Sequence, residues 1–276
     1  MTQTVASVRA VTEQLWPASG TEPWDAPGLL SGAPNAPVTR VHVAVDAVAD
    51  TVAEAIDASA DLLLVHHPLL LRGVTSVAED RYKGALLARL IRADCALIAA
   101  HTNADVVAEG TSAVFARLLG LTDTRPIASS AEAARDSGVG IGRIGRLPET
   151  TTLGRLAQRI AEILPATATG VRAAGHFETP VRVVALCAGA GDAYLGDPAV
   201  RAADVYITSD LRHHPASEAR EQALIGAGPA LIDVSHWASE WLWLQTAAEQ
   251  LRDALPDATI TLSDVRTDPW DFAIVQ

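Results

Sequence analysis

The feature that most constrains this chain is a pattern that occurs twice: a short apolar run closed by histidine or an acid, set within strand-like and helix-like segments in turn. ADLLLVHH at 60–67 matches ADVYITSD at 203–210 in position and character, so His66 and His67 correspond to Ser209 and Asp210. ALIAAHTNAD at 96–105 matches ALIDVSHWASE at 230–240, and in each a histidine (His101, His236) is followed four residues later by a carboxylate (Asp105, Glu240). Around these runs, 40–46, 61–65, 95–100 and 181–189 read as strands, and 5–16, 51–60, 83–93 and the segment from 153 as helices. Strands alternating with helices of about ten residues indicate βαβ units and mainly parallel sheets. The expected class is therefore α/β, with two related α/β halves. Residues 1–125 form the first, with 236–276 packing back onto it, and 126–235 form the second.

Between the repeated patterns, residues 122–150 are rich in Ala, Ser, Gly and Arg and contain a formal G-x-G-x-x-G at Gly140, Gly142 and Gly145. A dinucleotide fingerprint must follow a strand and open a helix. Here Pro148 comes three residues after the last glycine and the next helix pattern begins only at 153, so the segment reads as a glycine-rich turn and an oxidoreductase ranks last.

Charge narrows the partners. Thirty-three acidic against 21 basic residues give a net charge of −12, and Lys83 is the only lysine, so no electrostatic footprint for nucleic acid is present. Arg9 and Glu13 interrupt what would be the apolar core of an export signal, and no run approaches a membrane span of about 18 residues, so a cytoplasmic protein with no membrane association is expected. Cys95 and Cys187 lie in apolar runs without close partners and read as buried thiols.

Of the eight histidines, His66, His67, His101, His213, His214 and His236 fall just after strand-like runs. Loops at the carboxyl ends of parallel strands are where α/β sheets bind ligands. His66, His67, Asp105, His236 and Glu240 together offer the imidazole and carboxylate mixture suited to Zn, Fe, Mn or Ni. Residues four apart share a face of a helix, so His236 and Glu240 can serve one cluster, with Ser235 as N-cap. Carboxylates can bridge two cations about 3.5–4 Å apart, and this set is sufficient for two divalent ions per chain. His101 reads equally as ligand or orienting group. His213 and His214 open a helix and line a pocket, while His42 and His176 are structural. Glu240 is either solvated or buried with a partner, beside core Trp237, Trp241 and Trp243.

PWDAPGLLSG at 23–32, ADLLLVHHPL, AAHTNAD, GIGRIGRL, DVYITSD and VSHWASE, in this order, resemble the motifs of the NIF-three-like family of dinuclear-metal-centre proteins, whose members go by the name of GTP cyclohydrolase I type 2 homologues. The resemblance places the family's metal ligands on His66, His67, Asp105, His236 and Glu240. It further implies two halves facing each other across the metals, a toroidal hexamer, and hydrolysis of GTP or a related heterocycle. For that reaction His101, Asp210 and His214 are the supporting groups and Arg212 the substrate contact. A triphosphate calls for a cationic clamp, for which Arg72, Arg143, Arg146 and Arg212 are the motif-adjacent candidates. Ala26, Ala104, Ser209 and Ser235 depart from the family pattern, and the inserted domain of some relatives has no room here. The alternative reading is a non-catalytic, metal-binding, ring-forming scaffold.

Overall fold

A computed structural model describes residues 3–128, 138–226 and 228–274. The chain divides into two compact units, one of residues 1–104 and 244–267, the other of residues 105–243 and 268–276. Each is built on its own mixed sheet. Among the described residues no helix is long and apolar enough to cross a membrane.

The first unit carries β1 (Gly28–Ser31), β2 (Arg40–Ala44), β3 (Leu62–Val65), β4 (Ala96–Ala99) and β11 (Thr259–Leu262), in the order β1-β4-β3-β2-β11. β11, β2, β3 and β4 run parallel and β1 closes the edge antiparallel to β4. β3 and β4 are buried throughout, which explains why LLLV and ALIA are unbroken apolar runs rather than alternating ones. The crossover helices Ala49–Asp57 and Tyr82–Arg92 place Val52, Ala55, Leu86, Leu87 and Leu90 against Leu63, Val65 and Leu97. Each helix gives way to the next strand through a residue with positive φ, Ser59 (52°) and Asp94 (51°).

The second unit carries β5 (Thr122–Arg125), β6 (Arg143–Thr152), β7 (Arg172–Ala174), β8 (Pro180–Ala190), β9 (Val205–Ser209) and β10 (Ala230–Val234), in the order β5-β6-β8-β9-β10-β7. β8, β9 and β10 are parallel and the remaining pairings antiparallel. The parallel trio β8-β9-β10 repeats β2-β3-β4, with β9 in the place of β3, as the matched motifs require. The stretch read as a glycine-rich connection is corrected in part. Residues 129–137 of it lie outside the described residues, but Thr122–Arg125 and Arg143–Thr152 are paired strands. Gly142 turns at φ 64° into β6 and Gly145 sits within that strand, so no helix opens on the glycines. Both cysteines are buried and free, and burial raises their thiols to about 11 for Cys95 and about 12 for Cys187.

Candidate metal centre

In the first unit, parallel register sets Val65 of β3 beside Ala99 of β4, so the residues that follow leave the sheet at the same end. His66 is fully buried and its Nδ1 donates to the Ala100 carbonyl at 2.8 Å. His67 Nδ1 lies 2.7 Å from Asp46 Oδ1, and His101 Nδ1 lies 2.8 Å from Asp25 Oδ1. A carbonyl or carboxylate only accepts, so Nδ1 carries a proton in each of these rings. The three rings pack within 5.1–5.5 Å of one another, and one ligand atom from each falls within 4.8 Å of the others. Asp25 accepts from His101, Thr102 and Ala26. Burial raises its pKa, but hydrogen bonds from His101, Thr102 and the Ala26 N–H outweigh burial and hold it at about 2.

In the second unit, Ser209 of β9 pairs with Val234 of β10, and the next residues again emerge together. Ser235 caps the helix His236–Trp241, accepting from the Ala238 N–H at 3.2 Å. Asp210, at φ 58°, turns its carboxylate to 2.7 Å from His236 Nδ1. Glu240, one turn along the helix, sets Oε1 3.0 Å from His236 Nε2 while being only 4% exposed. It is therefore buried with a partner, beside buried Trp237 and Trp243. His236 thus has a carboxylate at each ring nitrogen, an arrangement that wants a positive charge at its centre. Burial lowers its pKa, yet the Glu240 charge and the hydrogen bonds that the ring donates to both acids leave it well above the ordinary value.

Asp105 accepts from Thr111 Oγ1 at 2.6 Å, and its charge and that of Glu240 both act on buried Cys187. After burial, these two charges are the next causes that keep Cys187 a thiol, so the donor set is imidazole and carboxylate without thiolate. That chemistry fits a borderline divalent cation such as Zn, Fe, Mn or Ni.

Other candidates have partners of their own. His214 packs edge-on against the His213 ring and lines an open cavity of about 680 Å³ with Asp192, Arg201 and Glu218. Arg212 pairs with Asp192 at 2.8 Å. Arg143 is no phosphate clamp: it is 3% exposed and donates to the carbonyls of Val107, Gly138, Gly140 and Gly142. Arg72 and Arg146 are exposed. His42 is buried between Thr261 Oγ1 (2.8 Å) and Glu54 Oε2 (3.0 Å), a structural bridge from β2 to β11 and the neighbouring helix. Sequence reasoning missed Asp25 and Asp46 as orienting groups. Asp46 closes the RVHVAVD run, so the strand-end rule applied to the histidines was the signal available for it.

A protein of Streptomyces coelicolor called GTP cyclohydrolase 1 type 2 homolog is 43% identical over 273 residues, covering 96% of this chain and 93% of the relative. A protein of the same name from Mycobacterium tuberculosis is 34% identical over 379 aligned residues, covering 99% of this chain and 98% of the relative, which carries inserted sequence. Among solved structures, a Staphylococcus aureus hypothetical protein superposes with a TM-score of 0.87 at 26% identity, over 99% of this chain and 100% of that one. A Bacillus cereus protein related to NIF3 shares the fold, with a TM-score of 0.89 at 23% identity and coverage of 99% and 100%. The family described as Duf34/NIF3 (NGG1p interacting factor 3) matches residues 3–269, and the chain belongs to that family.

Proposed function

We propose that the chain is a dinuclear-metal-dependent hydrolase acting on GTP or a related polar heterocycle. His66, His67, Asp105, His236 and Glu240 are its metal ligands. The observation that carries this reading is the state of the strand-end histidines. His66, His67 and His236 each have Nδ1 held by a carbonyl or carboxylate, the outer contact that fixes the tautomer of a metal-binding imidazole. The substrate class rests on the name borne by the relatives.

Bound divalent ions would supply Lewis acidity and lower the pKa of water to about 7. The chain's own residues do the rest. Asp46 and Asp210 hold the Nδ1 protons of His67 and His236 and so leave Nε2 as the nitrogen that would bind a cation. Asp25 does the same for His101, which lies against His66 and His67. Glu240, buried and charged, contributes an oxygen able to bridge. Arg212 and His214, at the start of the helix His213–Leu224, are the substrate-side groups, and substituting either raises KM ahead of any loss of metal. A toroidal homohexamer belongs to the same reading and is checked by light scattering.

The test is metal analysis with anomalous scattering on the purified protein, followed by chelation and metal rescue of activity over a panel of nucleotides and cyclic amides. The expected result is about two ions per chain and an activity lost with chelator and regained with metal. Fully loaded, assembled protein that stays inactive over the panel would replace the hydrolase with a metal-binding scaffold.

A further inference from the structure

The second unit contains a glycine that no sequence motif singled out. Pairing of β8 with β9 shifts register between Leu186 and Ala190, and Gly189, inside that interval, is buried and left-handed at φ 70°. A Cβ on Gly189 would stand 2.2 Å from Glu240 Oε1 and 3.2 Å from both Glu240 Cδ and His236 Nε2. Real side chains do not tolerate the first of these distances, so the strand backbone meets the carboxylate with no space for a methyl group. Both backbone polar atoms of Gly189 are also committed. Its N–H donates to Ser239 Oγ at 2.9 Å, and its carbonyl accepts from Thr208 Oγ1 at 3.1 Å. Ser239 in turn donates to the His236 carbonyl at 2.8 Å, tying the bulge to the helix that carries His236 and Glu240.

We propose that Gly189 is a positioning residue for Glu240: a left-handed strand irregularity without a side chain is what allows the carboxylate to lie against His236 Nε2, and any side chain at 189 displaces it. A displaced Glu240 no longer presents its oxygen beside the imidazole, so affinity for a divalent cation falls. The metal consequence rests on the ligand role proposed above for Glu240, whereas the displacement rests on the geometry alone.

Alanine at 189 adds two costs, a left-handed backbone and a clash, and a second glycine separates them. Gly170 is also left-handed, at φ 59°, but a Cβ there meets nothing within 4 Å. The experiment compares Gly189→Ala and Gly170→Ala by Zn²⁺ competition against a fluorescent chelator, and by ¹⁵N spectra of the His236 imidazole in the metal-free protein. Gly189→Ala is expected to weaken Zn²⁺ binding by tenfold or more, on the order of one lost ligand contact, and to move the His236 signals. Gly170→Ala is expected to change neither. Because aspartate withdraws its carboxylate from the added methyl, the Gly189→Ala penalty should shrink in a Glu240→Asp background, a coupling that backbone strain alone does not produce. If Gly189→Ala does not fold, Ser239→Ala, which releases the Gly189 N–H without adding bulk, should move the same His236 signals. Unchanged Zn²⁺ affinity and His236 signals in Gly189→Ala, or unmoved signals in Ser239→Ala, would overturn the proposal. A wild-type chain that binds no Zn²⁺ would instead count against the hydrolase reading, and the metal-free spectra would still decide the role of Gly189.

Discussion

Asp61 and Asp204 hold the same place in the two halves of the repeat. Each precedes the central parallel strand of its sheet, and its carboxylate accepts from backbone N–H groups at the start of the strand before it. For Asp61 these are Thr39 (2.7 Å) and Arg40 (3.0 Å), and for Asp204 they are Arg182 (2.8 Å) and Val183 (2.7 Å). The carbonyls correspond too, since Asp61 accepts from Ala96 and Asp204 from Ala230. The repeated Ala-Asp before each apolar run is therefore a device that pins three parallel strands together.

This predicts a pH-dependent cost for Asp61→Asn. Burial raises the Asp61 pKa, but the bonds from Thr39 and Arg40 outweigh burial and lower it from 3.8. A carboxyl with a depressed folded pKa stabilises above its unfolded value and loses that contribution as pH falls through the folded one. Urea unfolding at pH 7 should show a loss of about 1–2 kcal/mol for Asp61→Asn. The gap from wild type should close as the pH drops below 3.8. A gap that does not change with pH would assign the loss to something other than charge.

Arg143 offers a second test. Burial lowers its pKa only to about 10, so it stays charged at neutral pH, with its donors spent on four carbonyls. Arg143→Met should cost roughly 3 kcal/mol, because buried acceptors are left bare. Arg143→Lys should recover little, since an ammonium lacks the fork. Equal stability of Arg143→Lys and wild type in denaturant titrations would reject this role.

Asp210 should act through His236. Removing an outer-shell carboxylate typically costs 10–100-fold in metal affinity. Asp210→Ala is expected to fall in that range by chelator competition. Asp210→Asn should keep most of the affinity, because asparagine both tolerates positive φ and retains an acceptor oxygen. Equal affinities for the alanine and asparagine variants would show that orientation of His236 is not the role of Asp210.

Glu240→Gln is nearly isosteric but a poorer bridge. It should lower the metal content of the purified protein, measured by elemental analysis after supplementation, while circular dichroism and the melting transition show an intact fold. Full occupancy in this variant would make Glu240 a bystander.

Much of this protein is determined by sequence alone, for a local reason. LLLV and ALIA are apolar on both faces and bounded by breakers, the pattern of buried parallel strands, and the matched runs of the second half inherit that assignment. Histidines and acids that end those strands must then collect at the carboxyl edges of the sheets. Tertiary structure decided what each of them touches. Asp25 reaches His101 across 76 residues, Asp46 reaches His67 across 21 and Asp210 reaches His236 across 26. Arg143 turns inward to carbonyls instead of outward to a phosphate, His42 closes onto Glu54 and Thr261, and Gly189 makes room for Glu240. These contacts depend on lateral strand register, on a strand irregularity and on the φ of single residues. Spacing along the chain specifies none of these, because a hydrogen bond at 2.7–3.0 Å is settled by how neighbouring strands and helices pack, while a hydrophobic pattern records only which face is buried.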